Sequence, residues 1–122
     1  MEKMSDYLSV YSDIENISLV FNIVNENILK IKEEIEKINP DAYMNGYNWE
    51  AFINYYLEKQ SPDVLVDMDS DPEADIYAVY YENTEKNYGK VRKLAEIIEY
   101  LVENPEDIYE IVREHGGEIE WD

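Results

Sequence analysis

Hydrophobic positions along the 122 residues alternate between two periods, and the switches between them outline the elements. Tyr7, Leu8, Val10 and Tyr11 predict a first strand, and "ISLVFNI", Ile17 to Ile23, a second, with the turn residues of "DIEN" between them. That combination reads as an antiparallel hairpin. Val24, Ile28, Ile31, Ile35 and Ile38 then recur at four-three-four-three spacing, which predicts an amphipathic helix from about Asn27 to Ile38. Asn39-Pro40 ends it, because a residue before proline is pushed out of the helical region.

Asn48 is placed to cap a second helix with an inner face of Trp49, Phe52, Ile53, Tyr56 and Leu57. Ser61-Pro62 predicts a further cap and a short turn. Leu65 to Asp69 and Ile76 to Tyr81 read as strands joined by "SDPEAD". A longer helix follows from about Thr84, capped by Asn83, to Glu103, with Val91, Leu94, Ala95, Ile98, Leu101 and Val102 as its apolar stripe. Asn104-Pro105 restarts a helix that Gly116-Gly117 stops, and "EIEW" is expected to close the sheet as a short strand. Strands and helices interleave without strict βαβ alternation. The expected class is α+β, a single domain over 1–122 with amphipathic helices against a mostly antiparallel sheet.

Composition changes the picture through charge. Twenty-nine acids against ten bases give a net charge of −19. Direct binding to nucleic acid is excluded, since phosphates demand a basic footprint, and anionic membrane surfaces are excluded likewise. High net charge is also the signature of disorder, but a 45% hydrophobic content with regular periodicity outweighs it. The absence of cysteine fits a reducing compartment. The opening "MEKMSDYLSVYSD" has neither a basic flank nor a sustained apolar stretch, so it does not read as a signal peptide. No apolar run approaches the roughly 18 residues of a membrane span. The expected location is the cytoplasm.

The parts of an enzyme are scarce. Four glycines, at 46, 89, 116 and 117, write neither a dinucleotide fingerprint nor a P-loop. There is no thiol, and the single histidine, His115, sits near a helix end where a cation meets carbonyls. Zinc does not fit one imidazole without thiolate. "DMDSD" imitates the start of an EF-hand loop. Counted from Asp67, however, position 6 is Pro72 and position 12 is Ala78; counted from Asp69 they are Ala74 and Tyr80. Neither register supplies the required glycine and bidentate glutamate. The sequence therefore implies no metal, no cofactor and no catalytic residues.

What remains is a surface. Gln60 to Glu85 carries eight acids and no base, and Leu94 to Asp122 carries ten acids and one base, Arg113, beside His115. Strand alternation would turn Asp67, Asp69 and Asp71 to one side, opposite Val66 and Met68. The following strand sets Tyr77, Val79 and Tyr81 against Ile76, Ala78 and Tyr80, so it is either covered on both faces or exposes tyrosines, which suit interfaces. The long helix places Lys86, Lys90, Arg92 and Lys93 first and Glu96, Glu99 and Glu103 last. That order opposes the macrodipole and suits an acidic face kept for a partner.

"NGYNWEAFINYYLEK", Asn45 to Lys59, followed by "DMDSDPEADIYAVYYEN", resembles a family of immunity proteins from bacterial polymorphic-toxin systems of the contact-dependent inhibition type. The shared pattern is Asn-Gly-Tyr-x-Trp entering a helix, an acidic D-x-E-A turn between two strands, and a long helix. It covers roughly Asn45 to Val102 and takes nothing from the first forty residues. The usual aromatic before the acidic turn is Met68 here.

The resemblance implies a small cytoplasmic protein that binds the C-terminal domain of one cognate toxin and blocks it. It transfers no catalytic residues. Asn45, Gly46, Tyr47 and Trp49 are its motif positions, read physically as a turn and an aromatic anchor. A basic nuclease fits a partner of this charge, with Asp67, Asp69, Asp71, Glu73 and Asp75 steering and Tyr77 or Tyr81 anchoring. Two alternatives stay open: an acidic nucleic-acid mimic, and a small-molecule-binding sensor or enzyme domain.

Overall fold

The computed structural model describes residues 2–121. Two-residue strand β1 (Glu2–Lys3) precedes β2 (Leu8–Ser12) and β3 (Asn16–Asn22); α1 (Glu26–Ile38), α2 (Gly46–Gln60) and the single turn α3 (Pro62–Leu65) follow. Next come β4 (Asp69–Ser70), β5 (Ile76–Glu82), α4 (Glu85–Glu103), α5 (Pro105–His115) and a 3-10 turn, Gly116–Glu118. The strands form one antiparallel sheet in the order β1-β2-β3-β5-β4. The expected α+β class, an antiparallel sheet with helices packed against it, is what the chain adopts.

Register explains the two layers. Leu8, Phe21 and Tyr77 lie in one cross-strand row, and Val10, Leu19 and Val79 in the next. All six are buried, together with Ile17 and Tyr81, and this face meets the helices. Residues between them, such as Ser9, Val20 and Ala78, form the second face, which no helix among the described residues covers. On the covered face Trp49 meets Phe21 edge-on at 5.1 Å and Phe52 at 6.2 Å. Each such aromatic pair adds about 0.5–1.5 kcal/mol beyond its buried area. Both sheet edges are two-residue strands bearing charge, a form that resists pairing with another chain.

Several local expectations change. Thr84, not Asn83, caps α4, its hydroxyl accepting from the Asn87 N–H at 3.1 Å. Asn83 instead holds the β2–β3 turn, donating from its side chain to the Asp13 carbonyl at 2.7 Å. The expected strand Leu65 to Asp69 shrinks to Asp69–Ser70. Leu65 ends α3, Asp67 turns the chain with φ 64°, and the Val66 carbonyl accepts from the Lys90 ammonium at 2.8 Å rather than from a strand. "EIEW" forms no strand over its described residues. Ile119 tucks into the core after the 3-10 turn, and the Trp121 indole N–H returns to the Gly116 carbonyl at 3.1 Å. The first edge strand, β1, had no periodic signal at two residues.

Candidate partner-binding surface

The two halves of the Asn-Gly-Tyr-x-Trp and D-x-E-A pattern are one structural unit. Asn45, not Asn48, caps α2; its side chain accepts from the Asn48 N–H at 2.9 Å, while Asn48 itself is buried. Gly46 donates its N–H to the Ala74 carbonyl at 3.1 Å. A Cβ there would stand 1.8 Å from the Glu73 carbonyl oxygen and 2.2 Å from that of Ile76. Only glycine lets the β4–β5 turn lie against the start of α2. Trp49 is core, and Ser70 donates its hydroxyl to Glu50, a second tie between hairpin and helix. Of the four motif residues, Tyr47 alone is exposed, at 40%.

This unit fixes the acids in place. Asp67, Asp69, Asp71, Glu73 and Asp75 are all exposed, and among the described residues none of them is in an ion pair. Asp67 does not share a strand face with the others, because it sits in the left-handed turn before β4. Asp69 pairs with Tyr80 across β4–β5, and the Asp71 N–H donates to Ala78 at 2.8 Å.

Tyr77 and Tyr81 correct the expectation of surface anchors. Both are 0% exposed, and burial raises both phenol pKa values well above the usual range. Tyr81 donates its hydroxyl to the Val64 carbonyl at 2.7 Å, whereas among the described residues the Tyr77 hydroxyl has no partner. The alternation that buries them turns Tyr80 outward. Tyr11, Ser18, Tyr80 and Asp69 form one cross-strand row on the uncovered face. A depression of about 300 Å³ on that face brings Asp75 and Asp6 beside Tyr11, Val20 and Ile76. The exposed tyrosines of this face are therefore Tyr80 and Tyr11, not the Tyr77 and Tyr81 expected from the sequence.

On α4, three of the four bases of the first half, Lys90, Arg92 and Lys93, are engaged within the chain, while Lys86 is exposed. Lys90 is buried on the Val66 carbonyl, Arg92 lies 3.5 Å from Glu2, and Lys93 lies 3.5 Å from Asp63. The reversed charge order thus holds β1 and the α3 turn to the helix. Glu96, Glu99 and Glu103 form no ion pair among the described residues. Partial burial, followed by the charges of Glu103 and Glu96, raises the Glu99 pKa above its ordinary value. Tyr7 meets Phe21 of the sheet edge-on at 6.0 Å. Its phenol is pushed up by burial and then by Glu99 and Glu103, and it lines the depression that holds Asp75.

A second acidic concavity went unread in the sequence. Tyr47, Glu50, Ala51, Asn54, Tyr55 and Glu58 recur at helical spacing along α2 and line a groove of about 390 Å³. The opposite wall is Glu118, Ile119, Glu120 and Trp121. His115 and Lys59 stand at its margin, His115 bonded through Nδ1 to Glu118 at 2.6 Å and Lys59 5.5 Å over the Tyr55 ring. As a stripe of Tyr, Glu and Asn it reads as an ordinary solvated helix face.

Among the described residues, no group of three or more His, Cys, Asp or Glu side chains is arranged to hold a metal ion, and no helix is long and apolar enough to cross a membrane. A family model described as Immunity protein 51 matches residues 8–116. That match begins at Leu8 and so takes in the N-terminal hairpin, which the resemblance had left out. No curated protein and no solved structure matches the chain at a significant level.

Proposed function

The chain belongs to the Immunity protein 51 family, and from that premise we propose that it acts in the cytoplasm as the immunity partner of one toxin domain. It blocks that domain by occupying it, with no chemistry of its own. The partner is the C-terminal domain of a secreted polymorphic toxin encoded beside it, and a basic nuclease cleft is the surface that best suits a −19 protein. The observation that carries this reading is the hairpin. Five exposed acids, none of them in an ion pair among the described residues, lie on and beside the hairpin fastened to α2 and adjoin a sheet face bearing Tyr11 and Tyr80.

Each group has its own part in capture. The hairpin acids, joined by Glu96, Glu99 and Glu103, supply the field that speeds encounter toward roughly 10⁸–10⁹ M⁻¹s⁻¹ at low salt. Tyr11 and Tyr80 supply apolar area with a polar tip and act on dissociation. The decisive experiment expresses the neighbouring toxin domain in cells with and without this protein. Rescue of growth together with a stable complex supports the proposal. Toxicity with neither rescue nor binding refutes it, and equal competition by unrelated DNA-binding proteins would point to a nucleic-acid mimic instead.

A further inference from the structure

The groove between α2 and the C-terminal segment carries a more specific inference. We propose that it receives one arginine side chain of the toxin domain, a step that rests on the toxin-blocking reading and names the chemistry of a second contact.

Four carboxylates line the groove, Glu50 and Glu58 from α2 and Glu118 and Glu120 from the opposite wall, with no base among the lining residues. The remaining walls are aromatic: Tyr47, Tyr55 and Trp121. Ala51 stands at the middle of the α2 stripe, where a longer side chain would fill the space. Asn54 lines the same groove. Carboxylates beside aromatic faces are the complement of guanidinium, which stacks flat on a ring while its N–H fork engages a carboxylate. Lysine, a compact and strongly hydrated charge, uses the rings less well. Charge complementarity therefore selects a cation, and the aromatic walls favour arginine over lysine. The chain's own Lys59 already rests 5.5 Å over Tyr55, so Tyr47 and Trp121 are the other two rings of the lining.

The groove also lies beside the hairpin. Glu50 lines it and at the same time accepts from Ser70 of β4. A partner drawn in by the hairpin acids is thus delivered next to it.

The test measures association and dissociation of the purified toxin domain with wild type, with Glu58→Gln/Glu120→Gln, and with Ala51→Arg, which fills the groove with the chain's own guanidinium. Glu58 and Glu120 are exposed and make no ion pair among the described residues, so the double variant keeps the fold. Matching melting curves confirm that before binding is read. The inference predicts dissociation about 10-fold faster or more for the double variant and for Ala51→Arg. It further predicts that one arginine of the toxin, found by alanine substitution, loses its effect in the double-variant background. Unchanged dissociation in both variants overturns the arginine site and leaves the toxin-blocking reading standing. Failure of the wild type to bind overturns both.

Discussion

Gly46→Ala tests the join between α2 and the acidic hairpin with a single methyl group. The new Cβ would lie 1.8 Å from the Glu73 oxygen and 2.2 Å from the Ile76 oxygen, against 3.4 Å or more for ordinary contact. Both obstacles are backbone, so no side chain can swing aside, and either the turn or the start of α2 must retreat. Retreat breaks the Gly46 N–H to Ala74 bond, worth about 1 kcal/mol, and adds overpacking strain of about 1–3 kcal/mol. Together these come to about 2–4 kcal/mol, a large share of the roughly 5–15 kcal/mol that holds a domain folded. Gly46 has no positive φ, so conformational strain adds nothing.

Urea denaturation followed by circular dichroism measures the loss directly, and a thermal scan should show Tm lowered by roughly 8–16 °C. Gly89→Ala is the control. Nothing stands within 4 Å of its added Cβ inside α4, so that variant should gain about 0.5–1 kcal/mol from helix propensity. If Gly46→Ala were as stable as wild type, the close packing of the motif glycine on the acidic turn would be wrong.

The buried tyrosines should part company. Tyr77→Phe removes a hydroxyl with no partner among the described residues and should be neutral or stabilising, whereas Tyr81→Phe strands the Val64 carbonyl and should lose about 1–2 kcal/mol, both read by denaturant titration. Glu99→Gln should stabilise at neutral pH by roughly 0.2–0.5 kcal/mol for each like-charged neighbour relieved. Because the Glu99 pKa is raised in the folded state, its repulsion is present above that pKa and fades as pH falls through it; the gain should therefore shrink in a pH series through the upper carboxylate range. Replacing Asp69, Asp71, Glu73 and Asp75 with Asn or Gln should slow association with the toxin and flatten its salt dependence, with dissociation little changed in stopped-flow records. Tyr80→Ala and Tyr11→Ala should do the reverse, each raising the dissociation rate, with a hot-spot loss of about 2 kcal/mol or more for a true anchor.

Much of the fold was legible because its elements bury long, periodic faces. The isoleucines of α1 and the alternating residues of β3 could pack only one way. Legibility failed where tertiary contacts decide local conformation. Leu65 to Met68 has strand-like composition, yet α3 and the Lys90 ammonium claim it. Ile119 and Trp121 look like strand residues, but both sheet edges are already occupied by β1 and β4. Asn48 and Asn83 are good caps by type, and the neighbours Asn45 and Thr84 take those positions instead.

The site was half visible for a related reason. Exposed acids announce themselves in a sequence, and the run from Asp67 to Asp75 is indeed on the surface. Which face of β5 looks outward depends on register with β3, and the strand's apolar residues on both sides carry no polar marker to set it. The α2 groove was hidden further. Its second wall comes from Glu118 to Trp121, about sixty residues away in the chain and expected to be a strand.

The central claim is that this protein captures and silences one toxin domain. Titrating it into the purified domain encoded beside it, while recording that domain's activity, tests this most directly. The account predicts that activity falls linearly to zero at one equivalent and that unrelated toxin domains are untouched. Full activity at a several-fold excess would contradict it.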